Sequence, residues 1–135
     1  MSAVPHPVFD AFGFVATDMA RTLACYRQLG LDIPPEADGE GHVEVTLPSG
    51  LRLMWDAVEV VRSFAPEWVP PSGGHRCALA WRCGSPAEVD AVFARLTASG
   101  LHPHTAPWDA FWGQRYASVL DPDGTPIDLY APLDG

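Results

Sequence analysis

The chain has 135 residues, of which 47% are hydrophobic and 19% charged, and its formal net charge is −9. This length and composition are typical of one globular domain. The 8 Lys and Arg residues are scattered, which argues against a nucleic-acid surface, and no apolar run reaches the roughly 18 residues of a membrane span. The segment 1–7 lacks the features of a secretory signal, and the three cysteines lack CxxC spacing. We expect a cytoplasmic protein, a single domain over residues 1–135, with no nucleic-acid or membrane partner.

The first half of the chain predicts a strand, a helix and a hairpin. Residues 9–17 alternate in size as in a strand, and Asp18 is a suitable N-cap for the helix that follows. The apolar stripe of that helix is Met19, Leu23, Tyr26 and Leu29, and Gly30 ends it. Residues 31–41 are predicted as a loop. A hairpin over 42–47 and 51–56 turns at Pro48-Ser49-Gly50.

The second half repeats this order. A strand is predicted over 76–82, and Ser85-Pro86-Ala87-Glu88 has the cap, proline and acid of a helix start. Three strands follow, over 102–105, 116–120 and 125–131. The alignment of Leu51 with Ile127 places Arg52 on Asp128. We therefore predict an α+β fold of two βαβββ modules, about 9–56 and about 75–132, joined by a linker over 57–74.

Two sets of segments resemble a known family. The helix entry 18–22, the helix end 26–30 and the turn Asp121-Pro122-Asp123-Gly124 resemble the vicinal oxygen chelate superfamily, which includes glyoxalase I, extradiol dioxygenases and bleomycin-binding resistance proteins. The segments 52–56, 61–68, 73–76 and 112–116 are similar to a subgroup of metal-free drug-binding self-resistance proteins, such as the mitomycin-binding protein and the thiocoraline-pathway binding protein. This resemblance implies a cup-shaped mixed sheet with helices outside, and a homodimer whose binding cleft lies at the interface.

Enzymes of the superfamily hold a metal ion with ligands on the first and last strands of each module. The resemblance carries these four positions to Ala11, Arg52, Ala78 and Asp128, of which Asp128 alone offers a ligand for a cation. We therefore expect no metal, no cofactor and no catalytic residue. A metal-dependent enzyme of glyoxalase or dioxygenase type, and an inert carrier of a biosynthetic intermediate, remain the alternatives.

The tryptophans are the candidate ligand contacts. Trp108, Phe111 and Trp112 fall in a predicted loop over 106–113, where no regular core face is expected, and exposed aromatic rings in loops often mark recognition sites. Trp112 also matches the stacking tryptophan of the Trp-Gly-x-x-Phe/Tyr motif of the bleomycin-binding family, as the resemblance implies. Trp55 and Trp68 are further candidates, whereas Trp81 is predicted to face the helices as part of the core.

Polar candidates lie next to these rings or on the cup strands. They are Arg115, Tyr116, Asp56, His42, Arg52 and Asp128. Arg52 and Asp128 are related by the repeat, so they either orient a polar ligand edge from opposite sides of the cup or form a structural salt bridge. Together with the family resemblance, these residues predict a metal-free protein that sequesters a planar aromatic natural product, an antibiotic or antitumour drug, for self-resistance.

Overall fold

The computed structural model describes residues 5–134; residues 1–4, part of the N-terminal segment predicted not to be a secretory signal, and residue 135 lie outside it. Its strands are β1 (Ala11–Ala16), β2 (His42–Thr46), β3 (Arg52–Ala57), β4 (Leu79–Arg82), β5 (His102–Ala110), β6 (Gln114–Leu120) and β7 (Pro126–Pro132). Its helices are α1 (Met19–Gln28), α2 (Val58–Phe64) and α3 (Pro86–Ala98), and a 3₁₀ helix spans Pro35–Gly39. None of the helices in this part of the chain is long and apolar enough to cross a membrane.

The strands form two sheets with the same connectivity. The first sheet has the order β1-β3-β2 and the second β4-β7-β6-β5. In each, the strand before the helix runs parallel to the last strand of its module, and the other pairs are antiparallel. The predicted α+β fold of two repeated modules is confirmed. Within residues 5–134 the first module has one strand fewer than βαβββ, because its Pro- and Gly-rich stretch after α1 forms the 3₁₀ helix instead.

Local sequence signals set the helix ends. The side chain of Asp18 accepts a hydrogen bond from the Arg21 amide, and that of Ser85 accepts one from the Glu88 amide. The Glu88 carboxylate in turn accepts from the Gly84 amide, so one more free N–H at the start of α3 is satisfied. The predicted caps therefore begin both helices.

The core lies between the helices and one face of each sheet. Leu53 and Trp55 of β3 pack with α1, and Trp55 is completely buried, with its ring stacked 5.7 Å from that of Phe14. The corresponding residues of the second sheet, among them Val119 and Leu129, lie in the same hydrophobic cluster. Trp81 is half-buried and packs against this cluster, as predicted.

The turn between β6 and β7 ties the second module to α1 of the first. The Tyr26 hydroxyl donates to Asp121 Oδ2 at 2.8 Å, and the Thr22 hydroxyl donates to Asp123 Oδ2 at 3.1 Å. Burial raises the pKa of both Tyr26 and Asp121, and the amides of Asp123 and Thr125 donate to the other oxygen of Asp121. These contacts join the modules through a buried Tyr26–Asp121 hydrogen bond and a partly buried Thr22–Asp123 hydrogen bond.

One boundary prediction was wrong, and one segment contains a helix that was not predicted. The predicted linker over 57–74 includes α2, which buries Val61. The segment 106–113 is mostly strand, because β5 continues to Ala110 and its last residues pair with β6. The two register shifts in this pairing fall beside Pro103 and around Pro107, residues that cannot donate a ladder hydrogen bond.

Candidate functional site

Each sheet has one face on the core and one face turned away from the helices, which we call its open face. Side chains alternate between the two faces along every strand. In the second sheet Ala117, Val119, Ile127 and Leu129 fill the core, so Tyr116, Ser118, Asp128 and Tyr130 belong to the open face. In the first sheet the same rule assigns His42, Glu44, Arg52 and Asp56 to the open face.

Four aromatic side chains gather at one end of the second open face. We call Trp108, Phe111, Trp112 and Tyr116 the aromatic cluster. The Trp112 ring centre lies 5.5 Å from that of Trp108, 5.0 Å from Phe111 and 5.4 Å from Tyr116, with near-perpendicular planes. Trp112 is 48% exposed, Trp108 39% and Phe111 90%. The structure thus brings together four of the predicted ligand residues and leaves Trp108, Phe111 and Trp112 at least partly exposed.

The β5–β6 hairpin builds this cluster. Trp108 and Tyr116 are direct cross-strand partners, and Gly113, with φ of +93°, allows the chain to reverse between them. The Trp112 indole N–H donates to Gln114 Oε1 at 2.9 Å, which fixes the orientation of that ring. Trp108 and Tyr116 therefore lie on paired strands, and Phe111 and Trp112 lie in the tight turn that joins them, with the rings packed edge to face.

Beyond the cluster, the open face becomes polar. An open groove of about 510 Å³ is lined by His75, Arg76, Cys77, Ala78, His104, Thr105, Tyr116, Pro126 and Asp128. Burial and the nearby Asp128 carboxylate raise the pKa of Tyr116 to about 12, so its hydroxyl stays protonated at neutral pH. Tyr116 is shared between cluster and groove.

The open face of the first sheet is occupied by its own ion pairs. Arg52 binds Asp10 at 2.5 Å and Glu44 at 2.8 Å, and His42 binds Glu44 at 2.7 Å and Asp56 at 2.6 Å. The hydrogen bonds to Glu44 and Asp56 raise the pKa of His42. The predicted pair of Arg52 with Asp128 is not among the ion pairs of residues 5–134; Arg52 is held within its own sheet instead.

Two predicted ligand residues point away from the open faces. Trp55 shares the core-facing side of β3 with Leu53 and is fully buried, so it cannot contact a ligand in this structure. Arg115 shares its side of β6 with Ala117, faces α3, and binds both oxygens of Asp90 and one of Asp109. Both predictions were wrong because they ignored which side of the strand each residue occupies.

Trp68 lies apart from the aromatic cluster. It follows α2 and lines a separate cavity of about 360 Å³ with Phe12, Phe14 and Pro70 among others. The Arg62 guanidinium lies 5.8 Å from its ring centre. The aromatic rings named from the sequence therefore divide into a cluster, a core residue and this isolated ring.

The positions that hold metal in the superfamily do not fit a cation here. Ala11 pairs with Arg52, and Asp128 pairs with Ala80 rather than with Ala78. In both modules the cross-strand partner of the last-strand residue is an alanine. The side chains of Ala11 and Ala78 have no atom that could bind a metal ion. Within residues 5–134 no three His, Cys, Asp or Glu side chains converge as a metal site.

Sequence reasoning missed several polar neighbours of the predicted residues. Asp10 and Glu44 complete the ion pairs of the first open face, and Ser118 lies between Thr105 and Asp128 on the second. The period-two alternation of β2 and β6 was the available signal for Glu44 and Ser118. No local signal marks Asp10, which precedes β1.

Comparison with known proteins agrees with the fold. Residues 8–129 match the model of the Glyoxalase/Bleomycin resistance protein/Dioxygenase superfamily. No curated protein matches the sequence. Among solved structures, a family enzyme from Burkholderia phytofirmans PsJN has a TM-score of 0.77 and 16% identity, covering 93% of this chain and 98% of its own.

Two further solved structures share 24% identity with the chain. A glyoxalase/bleomycin resistance protein/dioxygenase from Nocardioides has a TM-score of 0.71 and covers 98% of this chain and 88% of its own. TioX from Micromonospora sp. ML1 has a TM-score of 0.59 and covers 94% of this chain and 100% of its own. These likenesses concern the fold, and the family match extends over most of the sequence. The chain belongs to the glyoxalase/bleomycin resistance protein/dioxygenase superfamily.

Proposed function

We propose that this chain is a metal-free binding protein that sequesters a planar aromatic natural product, such as an antibiotic or antitumour compound, for self-resistance. The aromatic cluster is the observation that carries the proposal. Trp108, Trp112 and Phe111 are 39%, 48% and 90% exposed, although burial of large apolar side chains normally stabilises a protein. Rings held in this way offer flat faces to a flat ligand.

The superfamily contains enzymes as well as binding proteins, so the donor set matters. Metal-dependent chemistry needs several ligands that converge on one ion, whereas alanines and Arg52 occupy the corresponding positions. This favours a binding protein over a glyoxalase- or dioxygenase-type enzyme. No residue of the described chain is assigned a catalytic role in the proposal.

A homodimer is part of the proposal. The aromatic cluster is exposed on the second open face, and both sheets have edge strands. A second subunit placed over the open faces would enclose a ligand that a single chain contacts from one side only. Sedimentation at micromolar concentration tests this part. A species of 14.6 kDa alone, with and without ligand, would contradict it.

The binding step is tested by tryptophan-fluorescence titration with planar quinoline, quinone and thiazole compounds. We expect saturable quenching that EDTA does not alter. Phe111→Ala should weaken binding, while Phe64→Ala should not, because Phe64 is similarly exposed at 72% but lies at the end of α2. Equal affinities for the two variants, or turnover that requires an added metal ion, would contradict the proposal.

Sequestration is separated from carriage of an intermediate by expression in a sensitive cell. A sequestering protein should raise the tolerated concentration of a compound that it binds, in proportion to its own abundance. A carrier that transfers its ligand to another protein would give no protection by itself. Loss of protection in a Phe111→Ala strain, with normal protein levels, would link the effect to the cluster.

A further inference from the structure

The open face of the second sheet is arranged in two neighbouring cross-strand rows. Trp108, Tyr116, Tyr130 and Arg82 are successive partners across β5, β6, β7 and β4, and form the aromatic row. Thr105, Ser118, Asp128 and Ala80 are successive partners across the same strands, and form the polar row. The rows are two residues apart on β6 and β7, which corresponds to about 7 Å along a strand.

The irregularity of β5 is what keeps both rows intact. Thr105 and Trp108 are three residues apart, so a regular strand would place them on opposite faces. A register shift between them adds one residue, and both pair with the open-face residues Ser118 and Tyr116. The polar row thus continues across β5 beside the aromatic row.

The polar row holds one buried hydroxyl without a hydrogen-bond partner and one carboxylate that has the Tyr116 hydroxyl nearby but no cation. Ser118 is fully buried, yet its hydroxyl has no hydrogen-bond partner among the described residues. Asp128 is half-buried and makes no ion pair within residues 5–134, in contrast to the acids of the first open face. Unsatisfied polar groups of this kind are costly unless a ligand or water completes them.

We infer that the polar row is a subsite for a hydrogen-bond donor, an amine or other N–H group, carried on the edge of the planar ligand. The inference rests on the proposed function, since the aromatic row must hold the ring. Asp128 can only accept a hydrogen bond when ionised, so it selects a donor or a cation. Thr105, which lines the same groove, adds a hydroxyl that serves either role.

Three other polar side chains border the groove and would favour a different ligand. Arg76, His75 and His104 line the same groove as Asp128, and His75 and His104 lie edge to face with their ring centres 6.2 Å apart. A ligand held by these groups would carry an anion, which Asp128 would repel. Whether the protein prefers a cationic or an anionic ligand therefore decides between Asp128 and these three side chains as the ligand's polar partner.

The test uses one ring with three substituents at pH 7.5: acridine, 9-aminoacridine and acridine-9-carboxylate, titrated by calorimetry. We expect 9-aminoacridine to bind tightest, acridine next and the carboxylate weakest. Asp128→Asn should lower the affinity for 9-aminoacridine about 10- to 100-fold, to near that of acridine, since hydrogen bonds to a charged partner are of this strength. The affinity for acridine itself should not change.

Asp32→Asn is the matched control, because it removes the same charge from an exposed loop outside both open faces. It should leave the order and the affinities unchanged. Equal or tighter binding of the carboxylate, or a preference for 9-aminoacridine that survives Asp128→Asn, would overturn the inference. If Asp128→Asn fails to fold, equal or tighter binding of the carboxylate by the unsubstituted protein still overturns the inference.

The two proposals fail in different ways. If acridine binds and Trp112→Ala weakens it, but 9-aminoacridine gains nothing, the polar subsite is wrong and the aromatic cluster stands. If none of the three compounds binds, or if Trp112→Ala changes no affinity, the proposed function fails and the subsite with it.

Discussion

The two open faces belong to two repeats of one module pattern, yet the polar groups on them are satisfied in different ways. On the first sheet, Arg52 and His42 are each held by two carboxylates. On the second, the aromatic cluster is exposed, and the Ser118 hydroxyl has no partner among residues 5–134. Charged side chains that already pair with one another have few donors or acceptors free to bind a ligand. Under the proposed function, this contrast predicts that the ligand binds on the second sheet and not on the first.

The largest effect is expected on the buried side of the first sheet. Trp55→Ala should lower the free energy of unfolding by about 3–5 kcal/mol, because it removes a large aromatic side chain from a close-packed core. Urea denaturation measures this, and Trp55→Phe should lose less. A small loss of stability together with weaker ligand binding would instead place Trp55 at the ligand and erase the contrast between the sheets.

The second sheet should show the opposite behaviour. Trp112→Ala should weaken binding of a planar ligand by roughly 1–3 kcal/mol, or about 5- to 150-fold, since a stacking surface is lost. Its melting temperature should stay near that of the wild type, because a half-exposed indole leaves no large cavity. A variant that melts far lower but binds normally when folded would make Trp112 a structural residue.

The ion pairs of His42 predict a small pH dependence of stability. Its pKa is raised above the ordinary value of 6.5, so the folded state binds the proton more tightly than the unfolded state. The stabilisation is fully present below pH 6.5 and is lost as the pH rises through the pKa of the folded protein. The side chain is 44% exposed, so we expect less than about 1 kcal/mol. The difference between the denaturation free energies of wild type and His42→Gln, followed from pH 5.5 to 8.5, measures it; a difference that grows with pH would contradict the assignment.

The smallest expected effect concerns Arg52. Arg52→Gln removes two exposed ion pairs, which contribute little to stability, and it should leave ligand affinity within error of the wild type. Calorimetric titration of the variant with the same planar ligand is the check. A tenfold loss of affinity would show that the first open face binds the ligand after all.

Features set by a few neighbouring residues were predictable from the sequence. Asp18 and Ser85 cap their helices as expected, and the hairpin at Pro48-Ser49-Gly50 forms between β2 and β3. These signals act over three or four residues and need no tertiary partner. The modular fold followed from their order along the chain.

The failures depend on which side of a strand a residue occupies and on partners distant in sequence. Trp55 and Arg115 are each one position away from an open-face residue, and one position reverses the direction of a strand side chain. Arg52 finds Asp10, 42 residues away, rather than its repeat-related counterpart. The extension of β5 through Pro107 required β6 as a partner, since prolines near a Gly-containing turn predict a loop on local grounds.

The turn that joins Tyr26 to Asp121 has a consequence for how the chain unfolds. Separating the modules would break this buried hydrogen bond and expose to water the hydrophobic cluster to which both modules contribute. We therefore expect local opening of either module alone to cost nearly as much free energy as global unfolding. The slowest-exchanging amides of α1 and β7 should share one opening free energy, so that the two repeats behave as a single cooperative unit.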